Sequence, residues 1–268
     1  MEEEREKTAA ISLITDFGLK DGNVGVMKGV ILSMAPEAKI VDVTHLIEPQ
    51  NIVEAGLILL RSAPYFPKGT IHVVVVDPGV GTNRRPMAAR LGDQFYVGPD
   101  NGIITMLLER IERSHQPVQM IQLDNPRYWL PDISNVFHGR DIFAPVAAHL
   151  ANGVSLTSIG TPIYEIERLK LPRPEPTSYG LRGEVIHIDH FGNISSNIMR
   201  EHLGDRPDVR VRLRDKEIKG MVRTFGDRPI GELIVLYGST GNLIVSVVNG
   251  NAARVLGVRP GDKVEVHY

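Results

Sequence analysis

A chain of 268 residues with 42% hydrophobic and 23% charged side chains buries a sizeable core and lies outside the compositions of disordered or collagen-like chains. Its net charge of −2 comes from interspersed signs, which leaves no basic face for nucleic acid or acidic lipid and favours a small-molecule partner. The absence of cysteine excludes disulfides, thiolate metal ligands and cysteine nucleophiles together.

By length two domains are expected. The opening Met1 to Lys7 carries mixed charge with no apolar segment behind it, and no run approaches the ~18 apolar residues of a membrane span, so a cytoplasmic protein with no membrane partner is expected. Ile11 to Thr15 reads as a strand stopped by Asp16-Phe17-Gly18, and a helical pattern follows from Asn23 to Met34. Lys39 to Val43 is a second strand. Asn51, with Glu54 three residues on, caps a helix over Ile52 to Leu60.

Ile71 to Val76 is apolar nearly throughout, as a central parallel strand buried on both faces requires, and Asp77 stands at its carboxyl end. Met87 to Leu91 and Gln94 to Val97 flank Gly92-Asp93 as a tight hairpin, followed by a helix over Ile103 to Ile111, a strand over Val118 to Leu123 and a helix over Ile142 to Leu150. The alternation predicts an α/β layered domain over residues 8–168, with a mostly parallel sheet and ligand groups at the carboxyl ends of its strands. Residues 169–177 hold three prolines and read as the linker. Beyond it, at 178–268, the period changes to short alternating strands at Gly183 to Ile188, Val209 to Leu213, Leu233 to Tyr237, Leu243 to Val248 and Lys263 to His267, the pattern of a smaller all-β, barrel-like domain.

Asp77-Pro78-Gly79-Val80-Gly81-Thr82-Asn83-Arg84-Arg85 is the densest functional candidate, because a buried strand delivers a carboxylate into a glycine-rich loop that returns a guanidinium seven positions later. The same spacing suits an Asp that caps its own turn beside solvated arginines, and spacing alone does not choose. The segment is neither a dinucleotide fingerprint nor a P-loop, since both the third glycine and a Gly-Lys-Ser/Thr are missing. Phe137-His138-Gly139-Arg140-Asp141 sets an imidazole beside a permissive glycine and two charges. It is either a pocket wall or a helix-capping Asp141, paired with Arg140, beside an ordinary loop histidine.

Asp16 suits the two hydroxyls of a ribose or a simple Asx-turn. Asp189-His190-Phe191-Gly192-Asn193 pairs a carboxylate with an amide four residues on, for recognition of an amine and a heterocycle or as a polar turn. Gly238-Ser239-Thr240-Gly241 reads first as a hairpin turn, and Phe225 first as core. No histidine spacing suits zinc or iron, the nearest pair being His187 and His190, so neither a metal nor another cofactor is expected.

Together, and in this order, Thr15-Asp16-Phe17-Gly18, Asp77 to Thr82, Val97-Gly98-Pro99-Asp100-Asn101-Gly102, Phe137 to Asp141 and Asp189 to Asn193 resemble the motifs of the S-adenosylmethionine hydrolases, also called SAM hydroxide adenosyltransferases, sisters of the fluorinating and chlorinating enzymes. The resemblance runs through nearly the whole chain. It implies hydrolysis of S-adenosylmethionine to adenosine and methionine by in-line attack of water at C5', and a homotrimer with active sites between subunits. By the same resemblance Asp77, Arg84 and His138 form a water-activating triad, Asp16 holds the ribose, Asp189 and Ser239 the methionine end, and Asn193 with Phe225 the adenine.

The departures from the halogenating relatives bear on the reaction. Asp77 and His138 align where the fluorinating enzyme carries tyrosines, and Gly139 where it carries a serine. Charged hydrogen-bonding groups suit water better than a dehydrated halide. The alternatives are a chloride-using adenosyl transferase and an adenosine-binding protein without turnover.

Overall fold

The computed structural model describes residues 9–204, 206 and 208–268, so the mixed-charge leader lies outside the described residues. The chain divides into two compact units between Leu169 and Lys170. The first contains β1 (Ala10–Thr15), α1 (Asn23–Met34), β2 (Lys39–Thr44), α2 (Ile52–Ser62), β3 (Ile71–Val75), β4 (Pro86–Leu91), β5 (Gln94–Pro99), α3 (Thr105–Arg113), β6 (Val118–Gln122), α4 (Ala144–Ala151) and β7 (Thr161–Ile163).

Its sheet has the order β2-β1-β3-β5-β4-β6-β7. The pairs β1–β2, β1–β3 and β3–β5 are parallel, whereas β4 is antiparallel to both β5 and β6, and β7 to β6. Five strands (β2, β1, β3, β5 and β6) therefore run one way and two the other. The centre is buried on both faces because alternate residues of one strand point to opposite sides. Ile11, Leu13, Val73 and Val75 join Met27, Ile31, Phe143 and Ala147 on one side, and Ile14, Val74 and Val76 join Leu59, Leu107 and Leu108 on the other.

The Asn51 side chain accepts from the Glu54 amide at 3.0 Å and so caps α2 as expected. The helix after the hairpin starts at Thr105 rather than Ile103, because the Thr105 amide and hydroxyl both bond the Gly102 carbonyl and tie off a preceding turn. The last helix of the unit is preceded by a wide π-turn over Gly139–Phe143.

The second unit contains β8 (Glu175–Thr177), β9 (Gly180–Ile188), β10 (Ile194–Met199), α5 (Arg200–Leu203), β11 (Arg210–Leu213), β12 (Lys216–Lys219), β13 (Leu233–Tyr237), β14 (Asn242–Val247), α6 (Ala252–Leu256) and β15 (Lys263–His267). All its pairs are antiparallel, in the order β12-β11-β15-β9-β10-β14-β13 with β8 against β9. The Val222 amide donates to Val235 of β13 at 2.9 Å, so the chain leaving β12 meets the opposite edge and nearly closes the sheet into a barrel. The inner face is apolar, with Val185, Ile194, Val211, Val245 and Val264. Strand β10 has no apolar alternation to announce it, since Ser195, Ser196 and Asn197 fill its middle; its buried Ser196 hydroxyl donates to Leu243 at 3.0 Å. Phe225 stands outside the core, 43% exposed in a short turn over Phe225–Asp227, because the Thr224 and Asp227 side chains hold that turn at the surface.

His72 is buried in β3 between Ser12, whose hydroxyl lies 2.6 Å from Nδ1, and Gln94, whose carbonyl lies 3.3 Å from Nε2. Burial pushes its pKa down to about 4. The unfolded chain, with an ordinary histidine near 6.5, takes a proton that the folded chain refuses, so stability falls as pH drops from 6.5 toward 4 and levels off below. Urea unfolding across this window is expected to lose about 3 kcal/mol, at ~1.4 kcal/mol per pKa unit. In His72→Gln that part of the profile flattens.

Candidate active site

Strand β3 is followed by the buried Val76, and Asp77 then enters the glycine-rich loop. Gly81 takes a φ of 75° there, a left-handed conformation that a side chain resists, and an added Cβ would collide with the Asn135 carbonyl. Gly79 faces the Arg84 stem, where an added Cβ would stand 3.1 Å from Cγ. The loop thus folds back tightly enough for Arg84 to return to Asp77. Arg84 Nε donates to Asp77 Oδ1 at 2.8 Å and to Oδ2 at 3.1 Å, and Nη2 donates to Oδ2. Both side chains are more than nine-tenths buried. This fork is not the self-capping Asp beside a solvated arginine that the spacing also allowed.

His138 reaches the same guanidinium from 54 positions away, its Nδ1 lying 3.0 Å from Arg84 Nη2. A guanidinium only donates, so Nδ1 accepts and the partner assigns the ring proton to Nε2. Burial, and then the Arg84 charge, lower the His138 pKa and keep the ring neutral. Nε2 makes no bond among the described residues, and Arg84 Nη1 is buried with no partner among them. Two N–H groups, one cationic and one neutral, are left to hold an oxygen. Phe143 closes the other side, its ring centroid 5.4 Å from the guanidinium carbon.

The segment before His138 is held by Asp141, which is fully buried: its Oδ2 accepts from the Ser134 amide at 2.7 Å, its Oδ1 accepts from Arg140 Nε at 2.5 Å, and its own carbonyl accepts from the Leu130 amide. Arg140 and Asp141 do pair, but they fix the loop that carries His138 instead of leaving that histidine idle. Gly139 lets Phe17 and Phe137 meet edge to face at 5.8 Å, since an added Cβ would stand 3.4 Å from each ring and 3.2 Å from Met27 Sδ.

Asp16 follows β1, and the register Thr15↔Val75 brings it to the same sheet end as Asp77. Its Oδ2 accepts from the Gln50 amide at 2.8 Å, which leaves the remaining lone pairs for a ligand. Asp16, Asp77, Arg84 and His138 thus share the carboxyl-end loops of one sheet.

The other four residues named from the sequence belong to the second unit. Asp189 Oδ1 accepts from the amides of Phe191 and Asn193 at 2.9 and 2.8 Å, and Oδ2 from the Asn193 side chain at 2.7 Å, so this carboxylate and amide form a closed polar turn. Ser239 is exposed in the turn between β13 and β14, next to Asn242, whose Nδ2 is buried with no partner among the described residues. Because Met199 opposes Asn242, Ser239 lies at one end of the six-residue β10 and the Asp189 turn at the other. Phe225 stands on its separate turn.

Two supports escaped the sequence reading. Asn101 Nδ2 donates to the Val76 carbonyl at 2.9 Å and fixes the peptide that precedes Asp77. The buried Tyr96 hydroxyl donates to Pro99 at 2.9 Å, and burial, with the charges of Asp100 and Asp77, holds its proton far above the usual range. The quoted Gly98 to Gly102 motif marked the place for Asn101, whereas Tyr96 reads only as strand.

The chain is similar to known proteins along nearly its whole length. The family model described as the SAM hydroxide adenosyltransferase N-terminal domain matches residues 11–160, and that of the C-terminal domain residues 183–265. Relatives named (R)-S-adenosyl-L-methionine hydrolase from Salinispora tropica and Thermus thermophilus are 40% and 38% identical, covering 97% and 96% of this chain and 98% of each of theirs. A fluorinase from an Actinoplanes species is 27% identical over 88% of this chain and 90% of its own. The crystal structure of an uncharacterized conserved protein from Thermotoga maritima, 40% identical, superposes with a TM-score of 0.88 over 96% of this chain and all of that one.

Gly81→Ala places a Cβ against Asn135 in a left-handed residue, and strain of this kind costs about 1–3 kcal/mol. Thermal unfolding is expected to show that backbone cost alone for Gly153→Ala, where the φ is similar but no atom lies within 4 Å, and a larger loss for Gly81→Ala, where the collision with Asn135 adds to it.

Proposed function

The chain belongs to the SAM hydroxide adenosyltransferase family, and we propose that it splits S-adenosylmethionine with water into adenosine and methionine, with Asp77, Arg84 and His138 aiming the water. The carrying observation is the guanidinium of Arg84, shared between a carboxylate and a neutral imidazole, with the Nη1–H of Arg84 and the Nε2–H of His138 left over. Unspent donors of this kind stabilise an oxygen as negative charge develops on it, and a positioned carboxylate takes up the proton.

The sulfonium needs no acid to leave. The water oxygen bonds to C5', the C5' to sulfur bond breaks, sulfur keeps the electron pair as neutral methionine departs, and the water proton passes to Asp77 and on to solvent. Positioning opposite the breaking bond is the main task. Asp16 takes the ribose hydroxyls, Asp189 and Ser239 the methionine end, and Asn193 and Phe225 the adenine, roles that rest on the family resemblance. A homotrimer and a cytoplasmic location belong to the same proposal, tested by light scattering and by fractionation.

The names of the relatives refine the substrate. In (R)-S-adenosyl-L-methionine the L already specifies the methionine α-carbon, so (R) designates the sulfonium sulfur. We therefore assign the (R)-sulfonium epimer as the preferred substrate. The purified protein, given each epimer separately, is expected to release adenosine faster from the (R) form.

In heavy-oxygen water the label is expected in the 5'-hydroxyl of adenosine; a 5'-chloro product with chloride present, or intact substrate after long incubation, overturns the reading. Asp77→Ala, Arg84→Ala and His138→Ala are each expected to lose roughly 10²- to 10⁴-fold in rate. Because burial and Arg84 lower the His138 pKa, its acceptor nitrogen stays unprotonated through neutral pH. The rate is expected to fall only on the acid side of an ordinary histidine's ~6.5, where a protonated Nδ1 would face the Arg84 donor. That limb is expected to vanish in His138→Ala.

A further inference from the structure

We propose that His45 is a positioning residue for the ribose end of the substrate, acting through Thr15 on the loop that presents Asp16; this rests on the ribose role of Asp16 proposed above. His45 follows β2 and is buried, as is Thr15. Its Nδ1 lies 2.9 Å from Thr15 Oγ1 and its Nε2 3.1 Å from Asp42 Oδ1, while Asp42 Oδ2 accepts from Lys28 Nζ at 2.5 Å.

The order of these groups sets the direction of every bond. The Asp42 carboxylate lies 3.1 Å from Nε2 without completing a hydrogen bond, and its charge favours the imidazole proton on that nitrogen, which leaves Nδ1 to accept the Thr15 hydroxyl proton. The Thr15 oxygen in turn accepts from the Phe17 amide at 3.2 Å. The chain of bonds therefore ends on the peptide next to Asp16. The same segment grips the loop twice more, since the Gly18 amide donates to the His45 carbonyl at 2.8 Å and the Gln50 amide to Asp16 Oδ2 at 2.8 Å. Asp16 is thus fixed on both sides by residues 45–50.

A buried histidine that only fills space does not act on a loop in this way. His72, equally buried, bonds Ser12 and Gln94 inside the neighbouring strands. His45 spends its acceptor nitrogen on the last residue of β1, where the strand gives way to the site loop. Because Asp42 and Lys28 are partly exposed, their ion pair adds little energy, and its part is to fix the imidazole tautomer.

The test is calorimetric binding of two ligands to the full chain: adenosine, and 2',3'-dideoxyadenosine, which lacks the hydroxyls assigned to Asp16. His45→Leu and Thr15→Val are expected to weaken adenosine about tenfold, the scale of losing one hydrogen bond to a charged group, and to leave the dideoxy ligand at its wild-type affinity. Thr15→Ser, which keeps the hydroxyl, is expected to bind both as wild type does. The threonine pair decides the matter should His45→Leu fail to fold. Equal weakening of both ligands, or no weakening, overturns the positioning role alone, whereas wild-type protein that does not bind adenosine overturns the proposed function with it.

Discussion

The site depends on one buried guanidinium. Arg84 alone would be costly to desolvate, and so would Asp77; paired as a fork in which two nitrogens of the guanidinium meet both carboxylate oxygens, they offset each other's burial. The pair then does something that neither member does alone. With Nε and Nη2 engaged, the planar geometry dictates where the remaining Nη1–H points, and Nη2 is also near enough to His138 to set the imidazole tautomer. A lysine offers no such fork, since a point charge cannot serve a carboxylate, an imidazole and a third acceptor along fixed directions.

That arrangement is possible because the sheet is covered on both faces. Apolar residues cover both sides of β1 and β3, the Ser12–His72 pair excepted, and the charged groups gather where the strands end. The end of β1 carries Asp16, the end of β3 carries Asp77, and the segment after β5 supplies Asn101 to hold the Val76 peptide. The glycines follow from the same crowding. Gly81 stands where the Asn135 backbone comes too close for a side chain, and Gly139 where two aromatic rings and Met27 leave only tight space for one.

Much of this was legible in the chain itself. The apolar run before Asp77 and the glycines after it announced a buried strand feeding a loop, and Arg84 lay within reach of inspection because only seven positions separate it from the carboxylate. His138 was a different matter: nothing in the 54-position separation says that it meets Arg84, and only the resemblance joined them. The boundaries of α1 followed from its periodicity, while β10 escaped because Ser195, Ser196 and Asn197 break the apolar pattern in its middle, the Ser196 hydroxyl bonding the Leu243 carbonyl. Phe225 was read as core because aromatic residues usually are; the cap formed by Thr224 and Asp227 overrides that tendency and leaves the ring at the surface.

Three histidines of the first unit show why residue type alone cannot assign a role. Each of the three is fixed by its neighbours, but their nitrogens face different worlds. His72 has both nitrogens inside the sheet and holds strands together. His45 turns one nitrogen to a surface carboxylate and the other to the hinge of a site loop. His138 gives one nitrogen to Arg84 and keeps the other N–H unspent. A polar hydrogen that the fold has positioned but not used is what separates a group that can bind a reactant from one that only supports the structure, and the Nη1–H of Arg84 is a second such hydrogen.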